Sequence, residues 1–464
     1  MALQKKPKKL KQNKTGKLLQ ILSLSALILC IGLATVGFIL FFEGGKPTIK
    51  IVHPETFISK TDSFAIELSD DKSGLRQVKV AIKQGEVAKE LLVKDYPRAG
   101  YTGKIGPRSD KLDLPFDAAA LAFKDGEINL TITAKDYSLR GFLSGNTTVT
   151  EQKLKLDTLP PQITLLHAEQ YISPGGAGIA IYRLSEGDGK HGVAINGQFH
   201  IGYPLGAGKE GLYIAYFALP FDTASLSQSE IEAFDVAGNK ASYPFAPTFK
   251  PVRFKHDKIT ISENFLTTKL PEFQQHYPEM QGTPLEMYLY TNQKLRVNNN
   301  AKIMAICSVS EAQRLWQGPF HRFPGSPKAG FADGRTYYYN GEAIDEQTHL
   351  GVDIASTERA AIRAANKGKV VFADYLGIYG NMVIIDHGMG LFSLYSHLSQ
   401  INAKTGDTVE QTTVIGLSGM TGMAAGDHLH FSSLVNGIFV TPVEWWDPHW
   451  IKVTIEEPMA SIKS

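Results

Sequence analysis

The sequence predicts a mainly β protein: one apolar N-terminal helix, two β-sandwich modules, a mixed segment and a C-terminal antiparallel β-domain. Three observations support this architecture. A single long uncharged run lies near the N-terminus, short alternating strands fill the middle, and histidine-rich strands return near the C-terminus. At 464 residues the chain exceeds the size of one hydrophobic core, so several domains of about 100–150 residues are expected.

The first 17 residues form a basic tail. Of the 48 basic side chains in the protein, seven lysines lie here before any acidic residue, which leaves 41 basic against 46 acidic side chains in the rest of the chain. The remainder is therefore mildly acidic, which argues against nucleic acid as a partner. These lysines are Lys5, Lys6, Lys8, Lys9, Lys11, Lys14 and Lys17.

An uncharged run spans residues 18–42 and is long enough to cross a bilayer as a helix. Lysine-rich flanks of such helices stay in the cytoplasm. A cleaved signal peptide is the alternative, but its apolar core would be about 7–15 residues and would end in a small-residue cleavage site. Phe41, Phe42 and Glu43 supply no such site. We therefore expect an uncleaved single-pass anchor in the cytoplasmic (inner) membrane, with the bulk of the chain in the periplasm or outside the cell.

Short strands with alternating apolar and polar residues dominate residues 46–157 and 158–250. Runs such as TIKIV, FAIEL and INLTITA, separated by Asp, Gly, Ser and Pro clusters, are typical of antiparallel sandwiches. Both segments end in a strand followed by Ala-x-Asp and a turn, which indicates a weak tandem repeat. They resemble the immunoglobulin-like modules of bacterial surface proteins, and we expect them to act as spacers without chemistry.

Residues 251–335 break the strand pattern. A helix is predicted from Pro284 to Cys307, and a loop rich in glycine and proline then marks a junction. Strands return in residues 336–450, and residues 451–464 are expected to form a C-terminal tail.

The only cysteines are Cys30, inside the apolar run, and Cys307, far from it. The predicted membrane separates the two, so no disulfide can join them. Neither can belong to a multi-cysteine metal site. Cys307 lies in the apolar stretch MAIC and is expected to be a small buried residue.

Five polar side chains with metal-ligand character gather in the last predicted domain: His349, Asp353, His397, His428 and His430. Imidazole nitrogens and carboxylate oxygens hold zinc at about 2.0–2.2 Å, so ligands must converge on one point. His428 and His430 are two apart on a predicted strand, which places both on one face. His349 and Asp353 would be too far apart on a straight strand. The backbone must bend between them, and Gly351 permits that bend.

Two other features of this domain are assigned to packing. His387 lies at a predicted strand end before a glycine, which is typical of a turn residue. Three tryptophans follow Glu444 near the end of the domain. Adjacent tryptophans at such a position indicate hydrophobic packing, with the lining of a groove as the alternative. They are Trp445, Trp446 and Trp450.

The histidine-rich segment resembles the LytM-type, or M23, family of zinc peptidases. The family pattern is H-x-x-x-D, then a tyrosine-x-H-L strand, then a closing H-x-H, and HLGVD, LYSHLS and GDHLHF supply all three in order. The resemblance implies that His349, Asp353 and His430 are the ligands of one Zn²⁺. It implies that His397 and His428 are catalytic. It also implies a small antiparallel β-sheet groove as the catalytic fold.

Three protein ligands leave a fourth position of zinc open, which is the arrangement of catalytic rather than structural zinc. Zinc lowers the pKa of bound water and polarises the scissile carbonyl. One unligated histidine would accept a proton while the other donates a hydrogen bond to the oxyanion, and the sequence leaves open which does which. Asp427 and Ser432 depart from residues frequent in the family, and we expect neither to touch the ligands.

The predicted function is a zinc-dependent endopeptidase that hydrolyses peptide stems or cross-links of peptidoglycan outside the cytoplasmic membrane. Family members that have lost ligands act by binding other wall hydrolases, and because every ligand is present here the enzyme is favoured. The alternatives are a regulator or activator of cell-wall hydrolases, with cell-wall machinery proteins as partners, and a peptidase of a non-wall protein.

A further hypothesis concerns residues 251–335, which directly precede the first predicted ligand. Their length and loop character suggest that they cover the groove and place a side chain in the open position of zinc. A structural buttress is the alternative.

Overall fold

The computed structural model describes residues 14–42, 44–100, 105–140, 144–206 and 208–462. The chain separates into two compact units. Unit 1 comprises Met1–Leu159 and Val236–Asn239, and unit 2 comprises Pro160–Asp235 and Lys240–Ser464. Of the predicted basic tail, residues 1–13 lie outside the described residues.

One long helix, Lys14–Phe41, precedes the first strand. Its segment Gly16–Phe38 is apolar, and none of it is buried in the protein. A helix that is apolar on all sides is stable in an apolar surrounding, and this one is long enough to span a bilayer. The helix agrees with the span predicted at residues 18–42, and by length and composition it is a candidate membrane span.

The first sandwich, in unit 1, is built from two sheets with the strand orders β1-β3-β6 and β2-β8-β7-β4-β5. Buried and more exposed residues alternate along β3 and β7, so one face of each sheet lies in a core that both sheets share. A short helix, Ala118–Leu121, is capped by Asp117. The strands are β1 (Thr48–His53), β2 (Phe57–Ile58), β3 (Thr61–Ser69), β4 (Leu75–Gln84), β5 (Val87–Asp95), β6 (Ser109–Asp117), β7 (Gly126–Asp136) and β8 (Thr147–Leu156).

The second sandwich belongs to unit 2 and contains two four-stranded sheets, β14-β15-β11-β9 and β13-β12-β16-β17, with a separate β10-β18 pair. The immunoglobulin-like character of both sandwiches stays a prediction. The strands are β9 (Ile163–Ala168), β10 (Tyr171–Ile172), β11 (Ala177–Leu184), β12 (His191–Ile195), β13 (Gln198–Ile201), β14 (Tyr203–Pro204), β15 (Leu212–Ala218), β16 (Ser229–Phe234), β17 (Lys240–Pro244) and β18 (Thr248–Phe249).

The two faces of strands β11 and β15 lie in different cores. Tyr182 and Phe217 point into the core between the two sheets of the second sandwich. Ile179 and Ile214, on the opposite face, belong to the large core that also holds Trp445 and the strands of the C-terminal domain. The sheet is therefore a middle layer, and the second sandwich and the C-terminal domain share one core.

The mixed segment folds into helices Glu263–His276, Pro284–Leu289 and Arg296–Ile306, with a π-helical turn, Tyr290–Leu295, joining the last two. The helix predicted from residue 284 to 307 is confirmed. Thr283 and Glu286 form a capping box at its start. The helix Glu263–His276 is an addition to the sequence prediction, and Ser262 caps it.

The C-terminal domain is organised around one large sheet with the order β20-β23-β31-β27-β26-β25-β29, and β32 pairs with β31. The same part of the chain also forms two small sheets, β19-β21-β22 and β24-β30-β28. Strand β20 lies before the predicted boundary at residue 336. The strands are β19 (His256–Thr260), β20 (Ser326–Ala329), β21 (Gly334–Tyr339), β22 (Glu342–Thr348), β23 (Val352–Ala355), β24 (Ala361–Arg363), β25 (Gly368–Tyr375), β26 (Asn381–Asp386), β27 (Leu391–Leu398), β28 (Gln400–Ile401), β29 (Thr408–Val409), β30 (Val414–Leu417), β31 (Leu429–Val435) and β32 (Ile438–Val440).

Short helical segments complete the domain. A 3₁₀ turn covers Gly377–Tyr379, and helices Pro442–Trp446, Pro448–Trp450 and Glu457–Ser461 follow the last strand, with a π-helical turn at Ile451–Glu456. Ile451 and Ile455 are buried in the shared core, so the residues predicted as a tail pack onto the domain as far as the structure describes them.

Of the residues assigned to packing, Trp445 and His387 are buried, and Trp446 and Trp450 are partly buried against the same core. Trp445 is fully buried, and its ring contacts Trp316 at 5.9 Å and Trp450 at 5.1 Å between centroids. The His387 Nδ1–H donates to the Lys367 carbonyl at 2.8 Å, so this histidine is a satisfied core residue. Cys307 is also buried, as predicted.

Candidate active site

Three neighbouring strands of the large sheet bring the predicted site residues together. Strands β23 and β31 are antiparallel, and their register sets Asp353 opposite His430. Strand β27 lies on the other side of β31, and His397 follows Ser396, the partner of His430 in that pairing. His349 lies between β22 and β23. Sheet pairing therefore makes residues far apart in sequence converge.

Three side-chain atoms form a nearly equilateral triangle. His349 Nε2 lies 2.9 Å from Asp353 Oδ1 and 2.9 Å from His430 Nδ1, and His430 Nδ1 lies 3.0 Å from Asp353 Oδ1. These atoms are a possible set of ligands for one metal ion. Two imidazole nitrogens and one carboxylate oxygen at this spacing suit an ion that binds each at about 2.0–2.2 Å, as zinc does.

Hydrogen bonds on the far side of each ring leave the triangle nitrogens free to bind. His349 Nδ1–H donates to the Gly330 carbonyl at 2.8 Å, which leaves the Nε2 lone pair available. His430 Nε2–H donates to Ser432 Oγ at 3.1 Å, and Ser432 in turn donates to the Leu350 carbonyl at 2.7 Å. Such partners fix the tautomer of a ligating histidine.

The expectation that Ser432 touches no ligand is wrong. Residues two apart on a strand share a face, so the side chain at 432 lies beside that of His430. The expectation holds for Asp427 in the structure, because its carboxylate bonds Ser418 and the Arg359 backbone N–H instead.

Arg335 is a site residue that the sequence did not reveal. Its Nη2 lies 3.1 Å from Asp353 Oδ2, the carboxylate oxygen outside the triangle. The guanidinium therefore holds one oxygen and leaves Oδ1 directed at the two histidines. Burial would raise the pKa of Asp353, but the imidazole of His349 and the hydrogen bonds to the carboxylate hold that pKa well below its usual range. The carboxylate is charged at neutral pH.

His397 and His428 lie beside the triangle, with ring centroids 4.8 Å apart. The Nδ1–H of His397 donates to the Thr421 carbonyl, and the Nδ1–H of His428 donates to the Gly426 carbonyl, each at 2.8 Å. His428 Nε2 is 3.5 Å from Asp353 Oδ1. His397 Nε2 therefore remains available for a reacting group, and His428 Nε2 faces the carboxylate of Asp353. His428 precedes β31 and forms an isolated bridge with Gly419.

All five predicted side chains line a cavity of about 550 Å³. One wall comes from the mixed segment, including Ile261, Phe265 and Tyr288. Two residues of that segment bond members of the triangle: the Gly330 carbonyl accepts from His349 Nδ1–H, and Arg335 donates to Asp353 Oδ2. The segment lines the cavity, and the hypothesis that it blocks the open position of zinc stays a prediction.

Residues 347–442 match Peptidase family M23. This part of the chain is a peptidase M23 domain. The match contains all five predicted site residues, and it places the family assignment on the same strands that form the cavity.

Curated relatives match about a fifth of this chain. The DD-carboxypeptidase/endopeptidase Mpg of Neisseria meningitidis serogroup B is 40% identical over 95 residues, which are 20% of this chain and 22% of that protein. The peptidoglycan DD-endopeptidase ShyC of Vibrio cholerae is 38% identical over 96 residues, which are 21% of this chain and 22% of that protein. The chain therefore spans about a fifth of the length of these relatives.

Solved structures similar to parts of this chain include two peptidases. The catalytic domain of lysostaphin from Staphylococcus simulans is 30% identical and covers 26% of this chain and 90% of its own, with a TM-score of 0.23. A zinc containing peptidase from Vibrio cholerae is 14% identical and covers 68% of this chain and 80% of its own, with a TM-score of 0.26.

Gly351 of the M23 domain is needed because its surroundings leave no room for a side chain. Its φ lies outside the left-handed region, so the turn between His349 and Asp353 does not demand a glycine conformation. A Cβ at this position would lie 2.6 Å from His430 Nε2 and 2.6 Å from the Phe431 carbonyl oxygen. The glycine therefore lets the backbone between His349 and Asp353 pass close to the imidazole ring of His430.

Burial and charge set the protonation of His397 on β27, His430 on β31 and His428 just before β31. Burial lowers the pKa of His430 to about 4 and holds that of His397 well below its usual range. For His428 burial acts in the same direction, but the hydrogen bond and charge of Asp353 outweigh it and raise the pKa. His397 and His430 are therefore neutral at pH 7.

Proposed function

We propose that this protein is a zinc-dependent endopeptidase that hydrolyses peptide stems or cross-links of peptidoglycan outside the cytoplasmic membrane. The observation that carries the proposal is the triangle of ligand atoms with two further histidines beside it in one cavity. The names of the relatives, a DD-carboxypeptidase/endopeptidase and a peptidoglycan DD-endopeptidase, support the cell wall as the substrate.

His349, Asp353 and His430 hold the proposed Zn²⁺. When bound, zinc supplies Lewis-acid polarisation of the scissile carbonyl and activates water at neutral pH. The chain prepares this site through partners outside the triangle. Gly330 and Ser432 orient the two imidazoles, and Arg335 holds the free carboxylate oxygen of Asp353.

His397 and His428 carry the proton transfer and the stabilisation of the oxyanion. Each is anchored at Nδ1 by a backbone carbonyl, so each presents Nε2 to the cavity. One accepts the proton of the attacking water and passes it to the leaving amine, and the other donates a hydrogen bond to the oxyanion. The pH-rate profiles of His397→Ala and His428→Ala variants assign the two roles, because loss of the base removes the acidic limb.

The N-terminal helix anchors the protein in the cytoplasmic membrane in this proposal. Its length and apolar surface support a single span, and the preceding lysines favour a cytoplasmic N-terminus. Both sandwiches and the M23 domain then lie on the side of the membrane where peptidoglycan is found.

The test is release of soluble muropeptides from purified peptidoglycan by residues 46–464, with and without zinc. A His430→Ala variant is expected to lose bound zinc and release, whereas His321→Ala, which changes an exposed histidine of the same unit, keeps both. Zinc-dependent release abolished by His430→Ala supports the proposal, and the fragments identify the bond. Stoichiometric zinc without release contradicts it in favour of a regulator or of a peptidase with a non-wall substrate, which a casein digest run in parallel separates.

A further inference from the structure

His397 adopts a backbone conformation that requires support. Its φ is 62°, in the left-handed region that non-glycine residues rarely occupy. A residue in such a conformation is strained and persists when its surroundings over-determine it. The groups that contact the imidazole therefore decide where its Nε2 points.

The Thr421 peptide group holds the imidazole of His397. The Thr421 carbonyl accepts the His397 Nδ1–H at 2.8 Å. The threonine side chain locks the same loop, because its Oγ1 donates to the Leu398 carbonyl at 2.9 Å and accepts the Asn381 N–H at 3.0 Å. Since a carbonyl can only accept, this bond fixes the tautomer with the proton on Nδ1.

Helix Glu263–His276 forms a hydrogen bond with the other side of this peptide group. The Gly422 N–H, which shares the peptide plane with the Thr421 carbonyl, donates to Glu272 Oε1 at 2.5 Å. Lys269 Nζ donates to the Met420 carbonyl and lies 3.7 Å from Glu272 Oε2. A hydrogen-bonded series therefore runs from the lysine and the carboxylate, through one peptide group, to the imidazole.

Lys269 is 7% exposed, and burying a lysine ammonium is costly unless it is paired. The cost is offset by its bonds to Glu272 and to the loop. A carboxylate that accepts from a peptide N–H also polarises the attached carbonyl, which strengthens that carbonyl as an acceptor. The helix thus supplies both position and charge at the peptide group that holds His397.

We propose that Glu272, supported by Lys269, is a positioning residue that orients His397 for catalysis through the Thr421–Gly422 peptide group. The inference rests on the proposed peptidase function and names a component of that site outside the residues matched to the family. It gives the helix that precedes the M23 domain a role in the chemistry.

The experiment compares Glu272→Ala and Glu272→Gln in the full-length protein in detergent, with zinc bound and a soluble cross-linked muropeptide as substrate. We expect Glu272→Ala to lower kcat by about 10–100-fold with KM within about twofold, as when the outer partner of a catalytic group is lost. Glu272→Gln retains an oxygen that accepts the Gly422 N–H and is expected to restore part of kcat. Glu263→Ala, on the same helix with its carboxylate against Tyr339, is the matched control and keeps kcat.

Nitrogen-15 NMR of His397 gives a readout without substrate. The original protein is expected to show the proton on Nδ1, and Glu272→Ala a mixture of tautomers, with unchanged zinc stoichiometry. Equal kcat and one tautomer in both proteins would overturn the inference, as would a loss of kcat that follows melting temperature alone. If the original protein hydrolyses nothing, the proposed function fails, while the tautomer comparison still decides the role of Glu272.

Discussion

The two sandwiches share a predicted class but differ in how their sheets are used. The first has one core of its own, and its strands alternate between buried and more exposed residues. In the second, β11 and β15 are buried along nearly their whole length, because one face packs inside the sandwich and the other packs into the core of the M23 domain. One sandwich is a separate body, and the other is a structural layer of the catalytic unit.

The difference shows how a scaffold is distinguished from a spacer. The sheet of a scaffold, as in the second sandwich, is buried on both faces, whereas each sheet of a spacer, as in the first, has only one face in a core. The second sandwich also reaches the catalytic sheet through hydrogen bonds, since Asn436, in the turn after β31, donates to the Tyr216 carbonyl of β15 at 2.9 Å. Damage to this sandwich should therefore spread to the active site, whereas damage to the first should stay within unit 1.

The largest expected effect comes from a charge in each core. Ile214→Asp should lower the free energy of unfolding of unit 2 by about 3–5 kcal/mol, because the carboxylate would be buried without a partner. All four tryptophans lie in unit 2, so the shift of the denaturant transition in tryptophan fluorescence measures this loss. Ile132→Asp, at a fully buried position of β7, should leave that transition and zinc binding unchanged. An unchanged transition for Ile214→Asp would contradict the shared core.

Acid should destabilise unit 2 more than unit 1. Burial lowers the pKa of His191, His200 and His387 to about 4 from 6.5. The stability that these neutral histidines contribute to the folded state is complete above pH 6.5. It falls as the pH drops towards 4, because the unfolded chain binds the protons first. Each accounts for roughly 1–3 kcal/mol of the free energy of unfolding, with His191, the least buried of the three, at the lower end. Unit 1 contains one histidine, the exposed His53.

Hydrogen exchange at pH 7 and pH 5 resolves the two units in one sample. Peptides of unit 2 should lose protection at pH 5 while those of the first sandwich keep it. His200→Gln should reduce the pH dependence of the tryptophan transition, and equal acid sensitivity in both units would refute the assignment of these histidines as the cause.

A smaller effect is expected from the hydrogen bond between β15 and the turn after β31. Asn436→Gly should lower the free energy of unfolding of unit 2 by about 1 kcal/mol, because glycine tolerates the φ of 49° and removes only the amide. Asn340→Gly is the matched control, since Asn340 has the same φ in another Asn-Gly turn and its side chain bonds no described residue. Denaturant titration of both variants should show a difference between them, and equal losses would assign the effect to the turn backbone.

The smallest effect is expected on the outer surface of the first sandwich. Lys153 pairs with Glu127 at 3.0 Å, with both side chains largely exposed. Lys153→Ala should change the free energy of unfolding of unit 1 by less than about 0.5 kcal/mol, because water screens such pairs. Hydrogen exchange of β7 and β8 provides the measurement, and a loss of protection would show that this surface has a structural partner.

The sequence contained the signal that separates the two sandwiches. INLTITA in β7 alternates, whereas GIAIY in β11 and LYIAYFA in β15 are continuous apolar runs, which is the pattern of strands buried on both faces. The helix Glu263–His276 was harder to predict, because Pro271 inside it normally marks a helix end.

The five predicted site residues all lie in one cavity because their spacing is a local pattern on neighbouring strands. Their partners follow no such pattern. Arg335 precedes Asp353 by 18 residues and Glu272 precedes Gly422 by 150, and tertiary packing alone brings each pair together. Ser432 could have been found, since it is two residues from His430 on the same strand face.

The middle layer also imposes an order of events during synthesis. The first sandwich has all its strands once residue 156 has left the ribosome, so it can close from that point. From Ala218, the end of β15, to Leu429, the start of β31, the ribosome must add 211 residues, which takes about 10–40 s at about 5–20 residues per second. Throughout that interval the outer face of β11 and β15, including Ile179, Ile214 and Tyr216, lacks the strands that later cover it.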